Sequence, residues 1–215
     1  MRVLILANGE PPSQILLARL AAEHDLFIAV DGAVRTGSVL GQMPGIVSGD
    51  FDSVSMEEAR QLFPQAECIV TPDQNFTDLE KAFQIALNRG GTSVTIAGAA
   101  GRRIDHTLGN FSLLLRWRLD LPGMPVMIVA DGSEVRALTG EMTLETEIGD
   151  AVSLLSFDGL ARVSIEGVRW PLTDHRLAIG VGGLLNEAVA DRVTLKAEGG
   201  VVLVCHLSAA LRRHG

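Results

Sequence analysis

Two cysteines are all that the 215-residue chain contains. They lie in the apolar runs "ECIVTP" (Cys68) and "VVLVCHL" (Cys205), without the paired spacing of a zinc site. A disulfide-stapled scaffold is excluded, and two buried thiols in a reducing cytoplasm are expected. Basic residues are also scarce, 18 against 26 acidic ones, for a formal net charge of -8. Such a field offers no general attraction to nucleic acid or to an anionic membrane surface. A polyanionic substrate would have to be met by metal ions or local cations. Mean hydropathy is +0.28, yet no apolar run approaches the roughly 18 residues of a membrane helix. The opening "MRVLILANGE" ends its apolar run at Asn8-Gly9 with no small-residue cleavage pattern, so it reads as a buried first strand and not as a leader. The familiar phosphate loops are missing too. There is no G-x-x-x-x-G-K-[ST] and no G-x-S-x-G, and the nearest G-x-G-x-x-G candidate, "GVGGLL" from Gly180, has Leu185 where its last glycine belongs.

What the chain does have is 47% hydrophobic residues, ample for one large or two modest packed domains. Up to about Leu138, short apolar runs ("RVLILAN", "LFIAVDG", "GIVSGDF", "ECIVTPD", "SVTIAGA", "VMIVADG") recur, several of them separated by segments of helical period. This predicts an N-terminal α/β domain over residues 1–138 with a largely parallel sheet. Beyond it, period-two alternation with turn residues and no long helix before the tail predicts an antiparallel β-sandwich over 139–215. "DRVTLKA" and "GVVLVCH", around Glu198-Gly199-Gly200, read as a hairpin. No repeat, low-complexity tract or long linker interrupts the two parts.

Three stretches carry chemistry. In "SGDFDSV", Asp50 and Asp52 stand one residue apart on a turn, and two carboxylates that converge there favour a hard cation such as Mg²⁺. A solvated turn capping the helix of "SVSMEEARQLF" is the alternative. In "TDLEK", Thr77 and Glu80 form a capping box ahead of the apolar face Leu79, Ala82, Phe83, Ala86 and Leu87. Asp78 and Lys81, three apart, share a face there and pair an acid suited to metal with a base suited to phosphate. In "GRRIDHTLGN", Arg102 or Arg103 offers a forked donor to phosphate oxygens at the start of a helix. Asp105 there also fits a plain helix cap, and His106 a structural hydrogen bond.

Taken in order, "DGA", "SGDFDSV", "TPDQNFTDLEKA" and "GRRIDHTLGN" resemble the thiamine pyrophosphokinase family, with its signatures G-D-F-D-S, D-Q-x-x-T-D-x-x-K-A and G-R-x-D-H. "GVRWPLTDHRLAIGVGGLLNEAVADRVTL" is similar to that family's thiamine-binding domain, so the likeness spans nearly the whole chain. The resemblance implies transfer of a pyrophosphoryl group from ATP to the hydroxyl of thiamine, giving thiamine diphosphate and AMP. It implies catalytic roles for Asp50, Asp52, Asp78 and Asp105, with Mg²⁺ on Asp50, Asp52 and Asp78. Asn8, Gly9, Asp31, Gln74, Thr77, Lys81, Arg103 and His106 would hold nucleotide or phosphate, and Trp170 and Asn186 thiamine. Ala33, Asn75 and Leu185 depart from the family pattern, where a glycine, an acid and a serine are common. The resemblance also implies a cytoplasmic homodimer with shared active sites, acting on neither nucleic acid nor membrane. A diphosphokinase for a pterin alcohol, a haloacid-dehalogenase-type phosphatase (from "DFDSV") and a non-catalytic nucleotide-binding module are the competing readings.

Overall fold

The structure is a computed structural model that describes residues 1–180 and 183–209. The rest of the tail, where a helix is expected, lies outside the described residues. The chain folds as two compact units, residues 1–110 with 124–131, and residues 111–123 with 132–215.

In the first unit each of the six apolar runs forms a strand: β1 Arg2–Leu6, β2 Leu26–Val30, β3 Ile46–Gly49, β4 Glu67–Val70, β5 Ser93–Ala97 and β6 Val126–Ala130. They pair in parallel in the order β6-β5-β1-β2-β3-β4. β1 is central and Val3 through Leu6 are fully buried, as expected of a parallel strand covered on both faces. The α-helices are α1 Gln14–Glu23, α2 Val34–Val39, α3 Met56–Leu62, α4 Asp78–Asn88 and α5 Ile104–Asp120, the last with its residues from Phe111 onward counted in the second unit. Their starts follow local chemistry. Ser13 and Ser55 cap α1 and α3, and Thr77 with Glu80 closes the predicted capping box on α4. α4 then buries Leu79, Ala82, Phe83 and Ala86. Because the chain leaves β1 toward β4 and returns to β5 on the other side, the strand order reverses between β1 and β5. Ligand crevices of open parallel sheets form at the carboxyl ends of the strands at such a point.

The second unit is antiparallel: β7 Ser133–Glu145, β8 Ala151–Ser156, β9 Arg162–Glu166, β10 Leu172–Arg176, β11 Gly183–Glu187 and β12 Arg192–Leu207. The hairpin expected at Glu198-Gly199-Gly200 does not form. β12 runs through it, with β7 opposite on both sides (Ala197 with Gly140, Val202 with Leu138) and an irregularity between. Gly199 takes φ +75° there, which absorbs the extra residues as a bulge. The bend lets β12 pair β9 along its first half and β8 along its second. Both halves feed one core that includes Leu138, Leu154, Ile165, Leu195 and Val204. The thiols are half-buried and free, and burial pushes that of Cys205 up to about 11. No helix among the described residues is long and apolar enough to cross a membrane.

A charged cluster closes one end of this unit. His206 Nε2 lies 2.8 Å from Asp150 Oδ2 and Nδ1 lies 3.7 Å from Glu134 Oε1. The amides of Glu147 and Ala209 also donate to Asp150, at 2.9 and 2.8 Å. The neighbouring Glu134 carboxylate, then the hydrogen bond to Asp150, raises His206 above 6.5 against the effect of burial. Burial opposes ionisation of Asp150 and Glu134, but their hydrogen-bond partners outweigh it and hold both below 3.8 and 4.5 respectively. The histidine's contribution to stability is therefore complete below pH 6.5 and is lost as pH rises through its folded value. The carboxylates' contribution is complete above their unfolded values and is lost as pH falls through their folded ones. The cluster should stabilise most between about pH 4.5 and 6.5. His206→Gln is expected to cost about 1 kcal/mol at pH 6, discounted for solvent screening, and less at pH 9. Urea unfolding at both pH values measures it, and an equal cost at both would refute the linkage.

Candidate active site

The turns after β1 and β5 are fastened together. The amide of Gly9 donates to the Gly98 carbonyl at 2.6 Å and that of Glu10 to the Ala100 carbonyl at 2.6 Å. A Cβ on Gly9 would stand 2.4 Å from both carbonyl oxygens, so only glycine allows this approach. Asn110, from α5, donates through Nδ2 to the Ala99 carbonyl at 2.7 Å. A cavity of about 570 Å³ opens over these turns.

The acidic side of the site is built by Asp31, Asp50 and Asp52. Asp31, at the end of β2, is 2% exposed and accepts from the amides of Gly32 (2.5 Å) and Phe51 (3.0 Å). Phe51 sits between the two aspartates at φ +62°, a region bulky residues rarely enter. That turn aims the Phe51 amide at Asp31. One oxygen from each of Asp31, Asp50 and Asp52 lies within 4.8 Å of the others. Burial foremost, and then the charges of Asp78, Asp50 and Asp52, push the Asp31 carboxyl above 3.8, against the pull of the Gly32 amide. Asp50 is held below 3.8 by the Gln74 side chain, whose Nε2 donates to it at 2.9 Å, and by the Asp52 amide. Gly49 precedes the pair because a Cβ there would stand 2.6 Å from Asp31 Cγ. Gly49→Ala should therefore destabilise the fold by about 1–3 kcal/mol by overpacking. A denaturation midpoint equal to the wild type's would show that Asp31 yields without cost.

From α4 and its cap, Thr77, Asp78 and Lys81 line the same cavity. The Lys81 side chain is 8% exposed, and its Nζ donates to the Thr71 carbonyl (3.0 Å) and to Asp78 Oδ1 (3.1 Å). Asn8, Gly9, Gln74, Arg103 and His106 also line it, so ten of the residues nominated from sequence meet there. Asp31 stands behind the wall, bonded to Phe51. Asp105 is exposed and carries the Arg103 guanidinium on both oxygens, at 3.1 and 2.5 Å, which lowers it to about 2. Sequence reasoning missed Phe76 and Asn110, which also line the cavity. Asn110 stands four residues after His106 on α5, and that helical spacing was the available signal.

In the second unit a separate cavity of about 170 Å³ is lined by Trp170, Leu172, Leu184 and Asn186 among others. Asn186 grips the backbone of Trp170, accepting from its amide (3.1 Å) and donating to its carbonyl (2.7 Å). Trp170 is 57% exposed, with the Arg169 guanidinium 5.6 Å from its ring centroid. Leu185 has φ +56° and donates its amide to Ser153 Oγ at 3.0 Å.

Sequence models of two families match this chain. "Thiamin pyrophosphokinase, catalytic domain" covers residues 17–128 and "Thiamin pyrophosphokinase, substrate-binding domain" covers 136–204. The chain is 25% identical over 211 residues to the thiamine pyrophosphokinase of Bacillus subtilis, covering 95% of this chain and 98% of that one. To thiamin pyrophosphokinase 1 of Caenorhabditis elegans it is 26% identical, covering 95% and 89%. Among solved structures, the thiamin pyrophosphokinase of Geobacillus thermodenitrificans superposes with a TM-score of 0.81 at 26% identity, over 97% of this chain and 98% of that one. The B. subtilis structure gives 0.84 at 24% identity, over 97% and 99%.

Proposed function

The chain belongs to the thiamin pyrophosphokinase family, and from that premise we propose how its own residues carry out the transfer. The reaction moves a pyrophosphoryl group from ATP to the hydroxyl of thiamine, leaving thiamine diphosphate and AMP. The observation that carries the assignment is the cavity at the β1/β5 reversal, lined by Asp50, Asp52, Asp78 and Lys81, all four within the segment that matches the catalytic family model.

Oxygen-only donors suit a hard cation. Octahedral Mg²⁺, with bonds of about 2.1 Å, sets its ligands about 3–4.2 Å apart, which fits oxygens gathered within 4.8 Å. Asp50 and Asp52 would hold it, with Asp31 and Asp78 beside them. When bound, the cation supplies neutralisation of phosphate charge. Gln74 keeps Asp50 ionised and oriented. Lys81, tied to Asp78 and to the Thr71 carbonyl, presents a fixed positive charge to phosphate oxygens. Arg103 and His106 add donors from the start of α5. A loose phosphoryl-type transition state needs positioning more than a strong base.

Residues 1–138 take the nucleotide and metal in this reading, and 139–215 the thiamine. Trp170 offers a flat exposed ring to a cationic heteroaromatic, and Asn186 fixes the backbone that carries it. Thiamine is shared between two subunits of a homodimer, a reading supported by the family resemblance. Purified protein given Mg-ATP and a panel of alcohols, including thiamine and a hydroxymethylpterin, tests the function. Thiamine diphosphate and AMP are expected. ADP with thiamine monophosphate, product from the pterin alone, or no turnover would each overturn it.

A further inference from the structure

We propose that Arg102 is a further phosphate-gripping residue of the nucleotide cavity, one that sets its preference for a polyphosphate chain. The inference rests on the reading of this cavity as the ATP site. Three long cationic side chains line it: Lys81, Arg102 and Arg103. Two are already paired with a carboxylate, Lys81 with Asp78 and Arg103 with Asp105, which offsets part of their charge. Arg102 is different. Its Nη1 donates to neutral acceptors only, Asn8 Oδ1 at 3.0 Å and the Asn8 carbonyl at 3.5 Å. Its Nε and Nη2 have no hydrogen-bond partner among the described residues, which leaves a forked pair of donors free for phosphate oxygens.

The backbone points the same way. Arg102 sits at φ +54°, a left-handed conformation that arginine rarely adopts and glycine takes freely. Disfavoured backbone of this kind gathers at ligand-binding loops, where the surrounding structure holds it. Here the bond to Asn8 fixes the guanidinium over the turn after β1, on the wall of a cavity that Asp50, Asp52 and Asp78 otherwise make acidic. An anionic chain of several phosphates meets an uncompensated cation there, while a single phosphate gains less from it.

Arg102→Gly removes the cation and suits the backbone, and Arg102→Lys keeps the charge without the fork. Steady-state kinetics should show KM for ATP about tenfold higher in the glycine variant, with kcat within about threefold and KM for thiamine unmoved. The lysine variant should recover part of the loss. Calorimetric binding of a non-hydrolysable ATP analogue should weaken equally, binding of AMP should change less than about twofold, and the melting temperature should not fall. Unchanged affinity for the analogue overturns the proposal, and so does an equal loss for AMP, which would place the arginine on ribose or base. Should the glycine variant not fold, Arg102→Gln answers the same binding question. A wild type that binds the analogue but makes no AMP with thiamine sinks the assigned reaction instead, while the binding measurements still judge Arg102.

Discussion

Asp50→Asn and Asp52→Asn are each expected to lose at least about a hundredfold of turnover while the fold persists. The two carboxylates stand with buried Asp31 around one point, so without a cation their charges repel, and the asparagine variants relieve that repulsion. Their metal-free melting temperatures should equal or exceed that of the wild type. Mg²⁺ alone, without nucleotide, should raise the melting temperature of the wild type and leave the variants nearly unmoved, since a ligand stabilises only the state that binds it. This second readout separates loss of metal from loss of chemistry. Normal turnover by both variants at limiting Mg²⁺ would reduce the aspartates to a solvated turn.

Mixing Asp52→Asn chains with Trp170→Ala chains, each nearly inactive alone, is expected to restore about a quarter of the wild-type activity. Random exchange makes half the dimers hybrids, and each hybrid carries one site with both Asp52 and Trp170 intact. The expectation follows from the placement of Asp52 in one compact unit and Trp170 in the other, joined to the proposal that thiamine is shared between the two subunits of a homodimer. Absence of rescue with exchange demonstrated by tagged chains, or a fully active monomer at assay concentration, would dismiss the shared site.

Much of this was legible residue by residue. Six apolar runs of strand length became the six parallel strands because each is short, largely apolar and bounded by polar turns; β1, β2, β3 and β5 are almost wholly buried, while β4 at the sheet edge is partly exposed. The capping box at Thr77 and Glu80 formed as read because its bonds lie within one helical turn. The hairpin at Glu198-Gly199-Gly200 was misread for the opposite reason. Glycines between two alternating runs look alike in a turn and in a bulge, and the difference lies in the partner strand. β7 keeps its pairing on both sides and forces a bulge.

Local sequence was enough to set the strands, the helix starts and the order of the four motifs, because those depend on interactions within a few residues of chain. Which charges stand together was settled only when distant segments met in the fold. The return of the chain from β4 to β5 sets Gly9 beside Gly98 and opens the cavity. The left-handed turn at Phe51 draws Asp31 to Asp50 and Asp52. Of two adjacent arginines, Arg103 is paired with Asp105 and Arg102 bonds only the neutral acceptors of Asn8. Spacing along the chain carries no information about that division, since it depends on backbone dihedrals and on acceptors brought in from distant segments.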